Sequence, residues 1–192
     1  MSLERSDLRL IELLQEDGRK TLTSLGKELG ISHVAVRKKL QKLMSEGIIK
    51  VSALLNSKMF VYAIVITELE SYTYFKNIAH KLKNCPRIVL LAPLIGGMGY
   101  IAVMAFENMD ILESCMNICV VRTHKGIRRS EVLVSRELIT PNYVPVKVVS
   151  KKGEAAPCGM LCGKCPLYKE GKCYACPATK YYRQEGLIGT ST

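Results

Sequence analysis

The chain has 192 residues, enough for one large domain or two small ones, and a formal net charge of +11 from 28 Lys and Arg against 17 Asp and Glu. This balance favours a polyanionic partner such as double-stranded DNA, although the charge alone is also consistent with solubility and nothing more. Because we see no signal-peptide pattern and no apolar run of the about 20 residues that a membrane span needs, we expect a cytoplasmic protein with no membrane partner.

Two helices joined by a tight turn are predicted between residues 21 and 50. Gly30 and Ile31 break the first helix, and Ser32 is a favourable N-cap for the second, which we expect over 32–46. The apolar stripes of the two helices are Leu22, Leu25 and Leu29, then Val36, Leu40 and Leu43. This arrangement is typical of a helix-turn-helix.

The other face of the second helix is basic, as in the helix that a helix-turn-helix places in a DNA major groove. A helical hairpin with a solvated basic face is the alternative, and spacing alone does not separate the two. The residues expected nearest to bases and phosphates are Ser32, His33, Val34, Arg37 and Lys38, with Lys39 and Lys42 at phosphates.

A preceding helix over residues 7–14 completes a three-helix unit of winged-helix size. The unit resembles the DNA-binding domain of the Lrp/AsnC (leucine-responsive, feast/famine) regulators, which implies a transcriptional regulator. The positions that carry this resemblance are Asp7, Leu10, Ile11, Asp17, Gly18, Arg19, Leu25, Leu29, Gly30, Ser32, Val36, Leu40, Leu43, Gly47 and Ile49. Two positions depart from the family, which usually has Ala where Gly26 stands and Arg where Lys39 stands.

The middle of the chain has the pattern of a ferredoxin-like βαββαβ domain, so the fold class is α+β. The predicted strands cover 59–67, 87–94, 99–106 and 127–138, and the predicted helices cover 72–83 and 109–121. Helices would cover one face of the sheet. The valines Val65, Val89, Val103 and Val134 are typical of strands that need covering, so we expect a homodimer, and the resemblance implies dimers or larger homo-oligomers paired through this sheet.

The resemblance also implies a small-molecule effector, an amino acid bound near the second hairpin. Gly96, Gly97 and Gly99 form the predicted turn, and in that family an aspartate usually follows. Here Tyr100 follows instead, so an ammonium group would lack its counter-charge. A turn alone would also explain the glycines.

The organisation predicted along the chain has five parts. They are a helix-turn-helix domain (1–50), a connector (51–58), a ferredoxin-like domain (59–149), a linker (150–157) and a Cys-rich module (158–184). In a cytoplasmic chain the eight cysteines favour metal or redox chemistry over disulfides. The module carries the strongest signal, C-x3-C-x2-C-x7-C-x2-C, formed by Cys158, Cys162, Cys165, Cys173 and Cys176.

Two C-x2-C pairs can turn four thiolates toward one ion, so the module is predicted to bind zinc and to draw its folding energy from the metal. An iron–sulfur cluster is the alternative, because proline follows both Cys165 and Cys176 and five thiols exceed the four that zinc needs. Copper is a third choice. Cys115 and Cys119 share a helix face and are expected to be buried apolar residues, and Cys85 is uninformative.

Three functions compete at this point. We expect a sequence-specific regulator, not an enzyme, whose tail stiffens the assembly or senses metal or redox state. The first rival is an enzyme of the sirohaem-decarboxylase type, which resembles this family in its two domains, although the middle domain shows no catalytic constellation. The second rival is a metal- or cluster-handling protein with a vestigial helix-turn-helix.

Overall fold

The computed structural model describes residues 3–95, 99–147 and 153–183. The chain forms two compact units, Met1–Ala53 and Leu54–Thr192. The division between them lies inside the segment 51–58 that was predicted to be a connector. In the described part of the chain, no helix is long and apolar enough to cross a membrane.

The first unit is a bundle of three helices around a small leucine core. These helices are α1 (Arg5–Glu16), α2 (Leu22–Leu29) and α3 (His33–Ser45). The core residues are exposed by no more than 1%: Leu10, Leu13, Leu25, Val36 and Leu43. Four of these five positions carry the sequence resemblance to the regulators and the fifth, Leu13, lies beside them on α1, so the predicted pattern describes a real core.

The turn between α2 and α3 depends on two glycines. Gly30 ends α2 in the left-handed region at φ +67°, where a side chain would be strained. Gly26 is buried, and a Cβ there would lie 2.7 Å from the carbonyl oxygen of Ile31. The Ser32 hydroxyl accepts a hydrogen bond from the Ala35 amide at 3.2 Å, which confirms the predicted N-cap of α3.

The second unit contains the predicted βαββαβ domain. Its elements are β2 (Val61–Leu69), α4 (Tyr72–Leu82), β3 (Ile88–Leu94), β4 (Gly99–Phe106), α5 (Met109–Ile118), α6 (Val120–Thr123) and β5 (Ile127–Ser135). The sheet order is β3-β4-β2-β5, with every neighbouring pair antiparallel. This confirms the ferredoxin-like prediction, with two differences: Cys119 interrupts the second helix, and β5 ends three residues early.

One face of the sheet is packed under the helices. Val65 and Tyr100 are fully buried there with Ile78 of α4 and Leu112 of α5. Val65 therefore does not need a further partner, contrary to the expectation from its residue type. The sequence could not decide this, because strand periodicity separates two faces without saying which one the helices cover.

A second, two-stranded sheet joins the start of this unit to the segment that follows β5. β1 (Leu55–Asn56) pairs antiparallel with β6 (Tyr143–Val144). The Ser57 amide also donates to the carbonyl oxygen of Asn142 at 2.8 Å. Part of the predicted connector is thus a strand, and it pairs with the segment that leads into the tail.

The cysteine-rich tail packs on the ferredoxin-like domain as part of the same unit. It contains a 3₁₀ turn (Cys162–Lys164), a short helix α7 (Pro166–Lys169) and a parallel bridge between Gly153 and Thr179. The Ser114 hydroxyl of α5 donates to the carbonyl oxygen of Lys172 at 2.6 Å. Contacts of this kind fix the tail against α5.

Candidate DNA-binding helix and cysteine chamber

The recognition helix α3 presents most of the predicted DNA-contacting side chains to solvent. The exposed residues of that set are Ser32, His33, Val34, Arg37, Lys38 and Lys42. No ion pair of the described residues engages Arg37, Lys38 or Lys42. These three cations are therefore available to a polyanion, and the capped N-terminus of α3 adds its partial positive charge.

Lys39 differs from the other cations of α3 because it is engaged within the three-helix unit, and its contact with phosphate stays a prediction. Its ammonium lies 2.8 Å from a carboxylate oxygen of Asp7 and 3.0 Å from one of Glu4. Asp7 is buried, and the Lys39 side chain is only 24% exposed. The hydrogen bond from Lys39 lowers the pKa of Asp7, and the bond to Asp7 raises the pKa of Lys39. Lys39 thus ties α3 to α1.

Of the glycines predicted near an effector, Gly96 and Gly97 lie outside the described residues. Gly99 opens β4 opposite Glu68 of β2 and Leu94 of β3. A Cβ at position 99 would lie 2.1 Å from the carbonyl oxygen of Thr67, so only glycine fits this close approach. Gly99 thus has a structural role, and effector binding at this hairpin stays a prediction.

All eight cysteines of the chain line one cavity, which we call the cysteine chamber. It lies between the ferredoxin-like domain and the tail and has a volume of about 70 Å³. Its thiols are Cys85, Cys115, Cys119, Cys158, Cys162, Cys165, Cys173 and Cys176. Its other walls are mostly apolar, including Met104, Ile111 and Ala175. The structure thus brings three domain cysteines to the five that the tail pattern had singled out.

Burial raises the pKa of four of these thiols, Cys85, Cys158, Cys173 and Cys176, to about 11 for Cys85 and about 12 for Cys176. For each of them, the backbone amide two residues further on acts on the pKa in the opposite direction.

Cys115 lies in the last turn of α5, and Cys119 is the residue that ends this helix. Hydrogen bonding with the Cys119 thiol and burial raise the pKa of Cys115 well above that of a free thiol. Both pack in the apolar core of the domain, as the sequence pattern suggested.

A buried cation borders the chamber. Arg87 is 5% exposed, ion-pairs with Glu107, and donates from Nη2 to the carbonyl oxygen of Ala175 in the tail at 3.3 Å. Glu107 also accepts a hydrogen bond from the Tyr182 hydroxyl. Burial alone would raise the pKa of Glu107, but the Arg87 charge and these hydrogen bonds hold it below its usual value. The Arg87–Glu107–Tyr182 network therefore joins the domain to the tail.

Within residues 3–95, 99–147 and 153–183, no three His, Cys, Asp or Glu groups come together as one metal ion would require. Cys85 and Arg87 had no distinguishing signal in the sequence, since each lies alone beside Pro86 before a strand. Only the folded chain places them at the chamber.

Comparison with known proteins agrees with both halves of this architecture. Residues 3–50 match the family model for a winged helix-turn-helix DNA-binding domain. The chain superimposes on Escherichia coli AsnC with a TM-score of 0.60 and 17% identity, over 72% of this chain and 95% of that one. The leucine response regulatory protein LrpA of Mycobacterium tuberculosis gives 0.61 and 21%, over 73% and 97%. This chain has the Lrp/AsnC fold.

A sequence relative leads in the same direction. The transcriptional regulator LysM of Saccharolobus solfataricus is 26% identical over 127 residues, which is 66% of this chain and 88% of that protein. LysM is named as a transcriptional regulator and LrpA as a leucine response regulatory protein.

The Lrp/AsnC fold does not account for the whole chain. The part that superimposes on AsnC covers nearly all of AsnC and leaves just over a quarter of this chain unmatched.

Proposed function

We propose that this protein is a sequence-specific DNA-binding transcriptional regulator that reads the major groove with α3. The observation that carries the proposal is the capped, exposed N-terminal half of α3, with Arg37, Lys38 and Lys42 outside the ion pairs of the described residues. The match of residues 3–50 to a DNA-binding domain and the regulator relatives support it. An enzyme on the same two-domain scaffold is the weaker reading, because the relatives named above include a transcriptional regulator and a leucine response regulatory protein.

The test is selection of binding sequences from a random duplex pool, followed by titration at several salt concentrations. We expect the double variant Arg37→Ala/Lys38→Ala to lose at least about 30-fold in affinity for the selected site, since base contacts of this kind contribute about 1–3 kcal/mol each. Its salt slope should fall by about 1–2, because each phosphate contact releases counterions.

The matched control is Lys81→Ala/Lys83→Ala, which removes the same charge from exposed positions of the second unit. An equal loss of DNA affinity in both double variants would mean that binding depends only on the net charge of the protein. No loss in either would support a vestigial helix-turn-helix and overturn the proposal.

We further propose that the chain forms a homodimer through the open face of its four-stranded sheet. An apolar row crosses all four strands there, formed by Leu90, Val103, Ile64 and Leu133 at paired positions. Leu90 and Leu133 are 45% and 47% exposed. A second copy presents the same apolar row, so it can cover this face while placing two recognition helices on one duplex.

Sedimentation equilibrium tests this assembly. The Leu133→Lys variant should sediment as a monomer at concentrations where the wild-type chain is a dimer, because a dimer would bury its charge in the apolar row. A dimer that survives this substitution unchanged would show that another surface pairs the subunits.

The tail is proposed to bind a metal through its cysteine thiolates, either zinc or an iron–sulfur cluster. Support comes from the two C-x2-C pairs and from the convergence of all five tail thiols on the chamber. A site of this kind would stabilise a segment that has little apolar core of its own. The first test is zinc and iron per chain in protein purified without oxygen.

A further inference from the structure

We propose that the tail, residues 153–183, is a lid over the cysteine chamber. A latch holds the lid shut: Tyr182 and the Ala175 carbonyl of the tail engage the buried Arg87–Glu107 pair of the ferredoxin-like domain. Opening of the lid gives small solutes access to the thiols while the domain stays folded. The inference concerns access to the chamber and does not require a metal to be bound there.

The domain and the tail have separate apolar clusters. All buried members of the larger cluster belong to the domain, and the buried members of the tail cluster are Ala156, Cys162 and Ala175. From the described part of the tail, Cys158 and Tyr174 pack against the domain cluster, and both are only partly buried. Each part can therefore keep its own apolar cluster when the two separate.

A cavity lies between the domain and the tail, where a tightly packed interface would have its centre. The walls of the chamber come from the domain, including Met104, Ile111 and Cys119, and from the tail, including Cys162 and Ala175. Side chains that border a cavity lack partner atoms on that side, so they lose part of the attraction that close packing provides. Packing therefore holds the tail weakly at the place where the thiols lie.

The latch is polar, and its two charges are on the same side. Arg87 lies just before β3 and Glu107 just after β4, so their buried ion pair belongs to the domain. The tail supplies the Tyr182 hydroxyl, which donates to Glu107, and the Ala175 carbonyl oxygen, which accepts from Nη2 of Arg87 at 3.3 Å. Opening of the lid thus separates no charges. It removes two neutral partners, which water can replace.

The tail backbone is strained at the latch. Ala175 has φ +64°, in the left-handed region that residues with a Cβ rarely adopt. Such conformations persist where the surrounding contacts enforce them, and they are frequent at switch regions. The hydrogen bond from Arg87 to the Ala175 carbonyl is a contact of this kind. Because opening breaks this bond, relief of the strain favours the open state.

The tail is tied together by its own backbone, so it can move as one piece. The Gly153 amide donates to the Ala178 carbonyl oxygen and the Lys180 amide donates to the Gly153 carbonyl oxygen, both at 3.1 Å. The bond from Ser114 of α5 to the Lys172 carbonyl is made by a side chain and is exposed, so water competes with it.

The experiment measures how fast a small maleimide labels Cys119 in the full chain, followed by peptide mass spectrometry. Cys119 is in the domain wall of the chamber and is 8% exposed, and the unit Met1–Ala53 contains no cysteine. We expect labelling at least about 100-fold slower than in the unfolded chain, with a weak dependence on urea, because opening exposes only part of the surface that unfolding exposes.

Two results of this measurement would overturn the lid. A urea dependence equal to that of global unfolding would show that Cys119 is reached only when the whole unit unfolds. Labelling as fast as in the unfolded chain would show that nothing covers the chamber.

A pair of tyrosine variants tests the latch. Tyr182→Phe removes one tail contact and leaves the Arg87–Glu107 pair intact, so Cys119 should be labelled at least about tenfold faster, as expected for the loss of a hydrogen bond to a charged acceptor. The weak urea dependence should remain. In the matched control Tyr181→Phe, the lost bond joins Tyr181 to Glu154 within the tail, so it is the same with the lid open or shut. Labelling should then change by less than about twofold.

The outcomes for the two variants decide whether Tyr182 is part of the latch. Equal acceleration in both variants, or no acceleration in Tyr182→Phe, would overturn the latch.

The labelling is carried out on the chain as purified and again after treatment with a chelator, which separates this inference from the metal proposal. Bound metal would slow the labelling of all variants alike and leave the ratio between them unchanged. A chain without zinc or iron would overturn the metal proposal and leave the lid standing. A ratio near one between Tyr182→Phe and wild type would overturn the latch and leave the metal proposal standing.

Discussion

The recognition helix and the cysteine chamber differ in how their residues come together. The basic face of α3 is made by residues of one helix, so helical spacing alone places its cations on one side. The chamber takes thiols from the α4–β3 link, from α5 and from the tail, which are separated by tens of residues. A surface formed by one helix can be predicted from the sequence. A site between remote segments of the chain forms only when those segments pack together.

The same difference applies to charge. On α3, the available cations are exposed and screened by salt. They therefore contribute to the affinity for a polyanion and contribute little to the free energy of unfolding. At the chamber, the Arg87–Glu107 pair is buried, and its two charges engage each other. Removing one partner is therefore expected to lower the free energy of unfolding. Lys39 lies between these cases: it is part of the recognition helix, yet it is held by a buried carboxylate.

The largest effect is expected at the chamber. Glu107→Ala leaves Arg87 buried without its carboxylate, and we expect a loss of about 3–5 kcal/mol in the free energy of unfolding. Chemical denaturation of the full chain measures it. The exposed Glu113 of α5 provides the control, since Glu113→Ala should change stability by less than about 0.5 kcal/mol. Similar losses in both variants would mean that Arg87 is not held as the structure shows.

A smaller effect is expected in the helix-turn-helix unit, at the pair between Asp7 and Lys39. Asp7→Asn should lower the free energy of unfolding by about 2 kcal/mol, because it weakens a charged hydrogen bond to a buried acceptor. Chemical denaturation across pH measures this loss. DNA affinity should change little, which separates Lys39 from Arg37 and Lys38.

The pH dependence gives the sign of this effect. Because the hydrogen bond from Lys39 lowers the pKa of folded Asp7, its stabilisation is fully present above the ordinary aspartate value of about 4 and is lost as pH falls through the folded pKa. The gap between wild type and Asp7→Asn should therefore close in acid and stay constant near neutrality. A gap that persists unchanged after the folded carboxyl has been protonated would contradict the assignment.

Much of the fold follows from sequence because its signals are local. Gly30 ends α2, Ser32 caps α3, and the leucine spacing identifies the faces that meet in the core. The four strands of the βαββαβ domain were also predicted from the sequence, and β4 was predicted at its observed bounds. The family resemblance of the first 50 residues agrees with the matched DNA-binding domain.

The sequence did not reveal contacts between residues that are distant along the chain. The charge and helical position of Lys39 predicted a phosphate contact, and they gave no sign of its ion pair with Asp7 of another helix. Val65 looked like an uncovered strand residue, but its side of the sheet is the one that the helices cover. Periodicity shows which side chains share a face of a helix or strand. It does not show which other element packs against that face or pairs with its charges.

The sequence by itself determined the order of the elements, the capped basic helix and the five-cysteine motif of the tail, because spacing along one chain is enough to specify each of them. Only the tertiary structure decided that the tail packs on the domain and that Cys85 and Arg87 stand at the same cavity as the tail thiols. The physical reason is that a buried site collects residues through packing and hydrogen bonds between remote segments, and these leave no periodic signal in the sequence.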